Sequence, residues 1–263
     1  MVRIGVYDSG VGGLSVTHSL QKLLTEPHYF YLCDNLNFPY GTKSDEAVIS
    51  ITTKNCVNFI DRYDLDVLVI ACNTASTVAL QGVRTVVKVP VVGVVPAIKL
   101  AAPLSKSKSI GLLATPGTVK RTYTLKLIED FASDCNVSLQ GSSILVELAE
   151  RKLRGLSILD SEIRSELDPL FAKDPYIDVV VLGCTHFPLL QVELRRLYPI
   201  IQWVDSGAAI AARVKSILPL VDPKQTSRKD SGVAVFTADS NTAHTLSGAL
   251  VPFGFTLSEY LKF

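Results

Sequence analysis

Two stretches of this chain run into a cysteine in the same way: Val67-Leu68-Val69-Ile70-Ala71-Cys72-Asn73-Thr74 and Val179-Val180-Val181-Leu182-Gly183-Cys184-Thr185-His186. An acidic residue, Asp66 or Asp178, precedes each run, and small polar residues follow each thiol. Apolar, β-branched runs of this kind belong to strands buried on both faces, so the repeat puts one thiol at the carboxyl end of each of two equivalent strands. A thiol exchanges protons near neutral pH where its surroundings favour the thiolate, as a helix N-terminus does. One such group on each side of a substrate suits acid–base chemistry applied from two faces. A single cysteine is more often a small buried hydrophobe, and that stays the reading for Cys33, Cys56 and Cys135. Duplication at matching strand ends sets Cys72 and Cys184 apart.

Ligands of open α/β sheets bind beyond the carboxyl ends of the strands, which adds Asp8-Ser9-Gly10, Cys33-Asp34-Asn35 and Thr115-Pro116-Gly117-Thr118 as candidate positions. For Asp8 two readings carry equal weight: it caps the next helix, or it poises a neighbouring thiol. His186 is a core histidine, a partner for Cys184 or a metal ligand. Cys-x-His supplies only two ligands and no matching cluster completes a tetrahedral site, which ranks metal last. The run from Asp8 to Ser15, with Asp34 after the second strand, has the outline of a dinucleotide site. Ser15 stands where the third glycine belongs, however, and Asp8 would lie against a pyrophosphate. No G-x-x-x-x-G-K-[ST] occurs either, so the glycines are read as permitting a tight turn and a close approach.

Such positions need a scaffold. Strand-like runs at 2–7, 28–32, 66–70, 91–94, 109–113, 142–146, 178–182, 201–204 and 233–236 alternate with stretches of helical period. This is an α/β pattern with mainly parallel strands. A second echo, Ile4-Gly5-Val6-Tyr7-Asp8-Ser9-Gly10 against Ile110-Gly111-Leu112-Leu113-Ala114-Thr115-Pro116, extends the repeat. The expected architecture is therefore two pseudo-symmetric α/β lobes, 1–96 plus 206–263 and 97–205, with the active site in the cleft between them. The last segment carries a helix-like run, a polar loop at 222–231 and a strand–helix unit at 232–251, returning to the first lobe.

A chain of 263 residues with 48% hydrophobic content can bury roughly three quarters of its unfolded surface, enough for this two-lobed plan. The net charge of +1 and the absence of any long like-charge block argue against nucleic acid or an anionic membrane as partner and favour a small metabolite. No stretch reaches the ~18 apolar residues of a membrane span, and no export signal is visible, so a cytoplasmic location is expected. Five cysteines without a short repeated spacing are read as free thiols.

These motifs together closely resemble the aspartate/glutamate racemase family, and within it the glutamate members, over nearly the whole chain. The resemblance rests on Asp8-Ser9-Gly10-Val11-Gly12-Gly13-Leu14, Pro39-Tyr40-Gly41, Ala71-Cys72-Asn73-Thr74-Ala75-Ser76, Val92-Gly93-Val94-Val95-Pro96-Ala97, Leu113-Ala114-Thr115-Pro116-Gly117-Thr118 and Gly183-Cys184-Thr185-His186-Phe187-Pro188-Leu189. Asp8-Ser9-Gly10 and Pro39-Tyr40-Gly41 favour glutamate over aspartate or hydantoin. Phe236-Thr237-Ala238-Asp239-Ser240 departs from the family's frequent Thr-Gly-Asp. The resemblance implies a cofactor-independent racemase that interconverts L- and D-glutamate and supplies D-glutamate for peptidoglycan. It gives Cys72 the α-proton of D-glutamate and Cys184 that of L-glutamate, with Asp8 assisting the first thiol, His186 the second, and Glu147 as a further helper. Asp8, Ser9, Tyr40, Gly41, Asn73, Thr74, Thr185 and His186 match substrate-contacting positions, and Thr118 is an added candidate. Monomer and homodimer both stay open. A sister racemase acting on aspartate, and a non-catalytic binding protein for an amino acid or dinucleotide, are the competing readings.

Overall fold

The structure, a computed structural model, describes residues 1–220 and 232–261. The polar loop expected at 222–231 lies outside the described residues. The chain divides into two compact units, Met1–Val94 with Gly207–Phe263, and Val95–Ser206.

The first unit opens with β1 (Arg3–Asp8), α1 (Leu14–Leu23), β2 (His28–Cys33), α2 (Asp45–Tyr63), β3 (Val67–Ile70), α3 (Asn73–Val86) and β4 (Val91–Gly93). The second holds α4 (Ile98–Ala101), β5 (Ser109–Ala114), α5 (Pro116–Lys120), α6 (Thr122–Phe131), β6 (Asn136–Gly141), α7 (Ile144–Leu153), α8 (Asp160–Lys173), β7 (Val179–Leu182), α9 (Gln191–Leu197) and β8 (Gln202–Val204). The chain then returns to the first unit with α10 (Gly207–Ile217), β9 (Gly232–Phe236), α11 (Asn241–Leu250) and β10 (Phe255–Tyr260). Every strand pair is parallel, in the orders β10-β9-β2-β1-β3-β4 and β6-β5-β7-β8. The sequence echo is therefore an echo of topology. Order β2-β1-β3-β4 in one unit corresponds to β6-β5-β7-β8 in the other, and the first unit adds β9 and β10 beyond β2.

Each core forms where the apolar strands meet helices. Val67, Leu68, Val69 and Ile70 are all fully buried, and each buried side chain of this size contributes ~1.5–3 kcal/mol of transfer free energy. Tyr7, Leu68 and Ile70 pack with Val48, Cys56 and Phe59 of α2 and with Ala75, Ala79 and Val83 of α3. Ile110, Leu112, Val179 and Val181 pack with Ile98 and Ala101 of α4 in the second unit. The repeated acidic residues anchor these strands. Arg3 N donates to Asp66 Oδ2 at 2.8 Å. Asp178 accepts from Ser105 Oγ at 2.6 Å and from the backbone N–H groups of Lys106 and Ser107 at 2.8 and 2.9 Å.

The strand expected at 142–146 does not form. Ser142 Oγ accepts from Leu145 N at 3.0 Å, and the apolar run beyond it starts helix α7, because Leu145, Leu148 and Ala149 bury one helical face. The strand here is instead the more polar Asn136–Gly141, at the sheet edge. All five cysteines are free thiols. Among the described residues, no helix is long and apolar enough to cross a membrane.

Candidate active site

In the first unit β1 and β3 lie side by side, with Tyr7 opposite Ile70, so Asp8 and Ala71-Cys72 leave the sheet together. Cys72 keeps an extended backbone (φ −114°, ψ 117°) and is the N-cap of α3, its carbonyl accepting from Ser76 N at 2.8 Å. The buried thiol thus sits where the aligned peptide dipoles of a 14-residue helix favour negative charge. Ser9 links it to Asp8: Ser9 Oγ lies 3.7 Å from Cys72 Sγ and donates to Asp8 Oδ1 at 3.2 Å. Gly10 N donates to the same carboxylate oxygen at 2.9 Å. The fully buried Asp8 does not cap α1, whose N-cap is Gly13; its carboxylate instead holds the Ser9-Gly10 turn and reaches toward Cys72 through Ser9. Gly13 makes the close approach possible. A Cβ there would stand 3.0 Å from Asp8 Cβ and from Tyr31 Oη, and 3.2 Å from Ala71 Cβ.

Asn73 and Thr74 form the first turn of α3 and are buried. The side-chain oxygen of Asn73 has no hydrogen-bond partner, which leaves an acceptor for a donor on a ligand. Tyr40 opens a short 3₁₀ turn, Tyr40–Thr42, that includes Gly41. Its hydroxyl is buried, bonded to Asp34 Oδ2 and to the Tyr7 hydroxyl. What Tyr40 and Gly41 can offer a ligand is therefore backbone. Asp34 is itself fully buried among protein donors, and this removes the acidic group on which the dinucleotide reading relied.

In the second unit β5 and β7 pair in the same way, and Gly183 N donates to Leu113 O at 2.7 Å. The surroundings of the second thiol differ from those of the first. Cys184 does not begin a regular helix; Thr185 and His186 intervene before a 3₁₀ turn, Phe187–Leu190, which contains Pro188 and leads into α9. The charge partner of the buried Cys184 is instead His186. Its Nδ1 lies 3.8 Å from Cys184 Sγ, and its Nε2 lies 2.8 Å from Glu150 Oε1. Burial alone would push the pKa of His186 down, but hydrogen bonding to Cys184 and Glu150, and their negative charges, outweigh it and hold the imidazolium well above the usual 6.5. A protonated ring donates from both nitrogens, so Glu150, His186 and Cys184 form a line along which charge and proton are balanced.

Glu147 is not part of that line. It points to the exposed side of α7, and Glu150, one turn beyond the buried Val146, reaches His186. Reading 144–153 in helical phase would have found Glu150 from Val146 at i, i+4. Lys152 on the same helix holds the turn after His186, donating to Leu189 O and Glu193 Oε2, both at 2.8 Å. Thr185 is buried beside Cys184. Thr118 is buried too, and its hydroxyl pairs with that of Thr115 at 2.8 Å. Among the described residues, no group of three or more His, Cys, Asp or Glu stands ready to hold a metal ion.

Two parallel α/β units of matching topology each hold a buried thiol at an equivalent strand end. The chain belongs to the Asp/Glu/hydantoin racemase family, whose model matches residues 4–214. It is 46% identical to the glutamate racemase of Shewanella sp. (strain MR-7) over 97% of this chain and 94% of that one, and 46% identical to that of Klebsiella pneumoniae (strain 342) over 97% and 90%. Escherichia coli glutamate racemase, solved with L-glutamate and the activator UDP-MurNAc-Ala, superposes with a TM-score of 0.95 at 45% identity, covering 99% of this chain and 98% of that one.

Proposed function

We propose that this racemase interconverts L- and D-glutamate without a cofactor, by proton transfer between two thiols, and that it supplies D-glutamate for peptidoglycan in the cytoplasm. The observation that carries the mechanism is that each thiol has its own proton-managing partner: Asp8 through Ser9 for Cys72, and the Glu150–His186 pair for Cys184. Substrate choice is supported by the glutamate racemases to which the chain is similar and by the Asp8-Ser9-Gly10 and Pro39-Tyr40-Gly41 motifs.

The Cys184 thiolate takes the α-proton of L-glutamate. The electron pair left on the α-carbon delocalises into the α-carboxylate, and the Cys72 thiol delivers a proton to the opposite face. D-glutamate leaves with Cys72 as thiolate and Cys184 as thiol, and the reverse reaction exchanges their roles. His186, held as an imidazolium, offsets negative charge on the Cys184 sulfur when it is a thiolate. The α3 N-terminus does the same for Cys72. An α-proton is far less acidic than a thiol, so the carbanionic transition state needs preorganised donors. Thr74 and Thr185 hydroxyls and backbone N–H groups at the strand ends supply them, and the open Asn73 oxygen accepts from the substrate ammonium.

Purified protein given L-glutamate and no added cofactor is expected to form D-glutamate, and Cys72→Ser and Cys184→Ser each to abolish this while the protein still melts near the wild-type temperature. Aspartate run in parallel separates the sister activity. A doubly substituted protein with normal turnover would remove the thiols from the mechanism, and binding of glutamate without any turnover by the wild type would favour a binding protein instead.

A further inference from the structure

Two features of the sequence find no place in the reaction: Asp34, and the Phe236-Thr237-Ala238 segment at the end of β9. The structure joins them. Asp34 leaves β2 next to β9, and its fully buried carboxylate accepts from Thr237 Oγ1 at 2.6 Å, from Asn37 Nδ2 at 3.0 and 3.1 Å, and from the Tyr40 hydroxyl. Thr237 in turn accepts from Leu36 N at 3.1 Å. Asn35 grips both backbone polar groups of Ala238: Ala238 N donates to Asn35 Oδ1 at 3.0 Å, and Asn35 Nδ2 donates to Ala238 O at 2.9 Å. The connection from Asp34 to Tyr40 is thus fastened to β9 at its start and to Asp34 at its end. Burying a carboxylate among neutral donors is costly unless every lone pair is used. Here the cost goes into fixing one short connection whose last residues are Tyr40 and Gly41.

We propose that Thr237 and Asn35 are positioning residues for substrate: they latch the C-terminal strand β9 to Asp34, and Asp34 through the Tyr40 hydroxyl holds the Tyr40-Gly41 turn in its binding conformation. This rests on the glutamate racemase reading, in which that turn meets substrate with its backbone. The latch does not touch the thiols, so it acts on binding more than on proton transfer.

Thr237→Val keeps the β-branched shape and removes the hydroxyl, leaving Leu36 N–H and one Asp34 oxygen short of a partner. The KM for both enantiomers is expected to rise about tenfold, with kcat changing less than about threefold. Thr237→Ser, which restores the hydroxyl, is expected to return KM to within about twofold of wild type. Asn35→Ala, which opens the grip on Ala238, is expected to raise KM in the same way and carries the test if Thr237→Val fails to fold. A KM unchanged in the folded variants despite a lower melting temperature would overturn the proposal, as would a Thr237→Ser protein as impaired as Thr237→Val. A wild type that does not racemise glutamate would bring down the underlying reading and the latch with it. An active wild type with an unmoved KM in the variants brings down the latch alone.

Discussion

Glu150→Gln keeps the shape of the side chain and removes the charge from its 2.8 Å contact with His186. Hydrogen bonds to a charged group contribute ~1.5–3 kcal/mol in proteins. If the imidazolium is required when Cys184 is a thiolate, that loss lowers kcat/KM by about 10- to 150-fold, at ~1.4 kcal/mol per factor of ten. The enantiomers are equal in free energy, so kcat/KM must fall equally in both directions. The lesion nevertheless sits on one side, and isotope effects reveal which. In Glu150→Gln the step at Cys184 becomes the slower one. The primary isotope effect on kcat/KM with α-deuterated L-glutamate is then expected to grow, because its C–D bond breaks at Cys184, while that with α-deuterated D-glutamate shrinks toward unity. The assay is circular dichroism of glutamate with protiated and deuterated substrate from each side. Wild-type kcat/KM in Glu150→Gln, or isotope effects moving in the opposite sense, would refute the Glu150–His186–Cys184 line. Glu147→Gln is expected to leave both quantities within about twofold, as for an exposed side chain.

Further outcomes follow from the same geometry. Because the pKa of His186 is raised in the folded protein, its contribution to stability is complete below the unfolded value of ~6.5 and is lost as pH rises through the folded one. The stability advantage of wild type over His186→Gln, measured by urea unfolding, is therefore expected to fall as pH rises from acidic to alkaline, and a constant advantage would contradict the assigned charge. The Asp178 pKa is displaced to about 2: burial opposes ionisation, and the donors of Ser105, Ser107 and Lys106 outweigh it. Its stabilisation is present above the unfolded ~3.9 and is lost as pH falls through that lower value, so Asp178→Asn is expected to cost about 1 kcal/mol at neutral pH, after allowing for solvent screening, and to approach wild type in acid. Gly13→Ala forces a methyl against Asp8 and Ala71 and is expected to cost ~1–3 kcal/mol and to reduce turnover, read by thermal melting and racemisation together.

The parts of the fold that the sequence reveals are those where local pattern and burial agree. Val67–Ile70 and Val179–Leu182 are apolar at every position because both faces of those strands are covered, and the thiols that follow them stand out for the same reason. Ile144-Leu145-Val146 misleads, since β-branched apolar residues also bury one face of a helix, and only the Ser142 cap and the continuation to Leu153 decide between the two. Glu147, which the resemblance suggests as a helper, lies on the exposed face of that helix, and it is Glu150 whose carboxylate meets His186. Edge strands β6 and β10 carry polar residues and give little signal. The Asp34–Thr237 contact spans 203 residues of chain and depends on β9 inserting beside β2, which no local pattern encodes.

The central claim, that separate thiols serve the two faces of the α-carbon, is tested most directly by the fate of hydrogen at early turnover in deuterated water. Starting from L-glutamate, the account predicts deuterium at the α-carbon of the D-glutamate formed and protium in the L-glutamate that remains, with the mirror result from D-glutamate. Product that keeps the substrate's own α-proton would mean that one group carries it across, and would contradict the account.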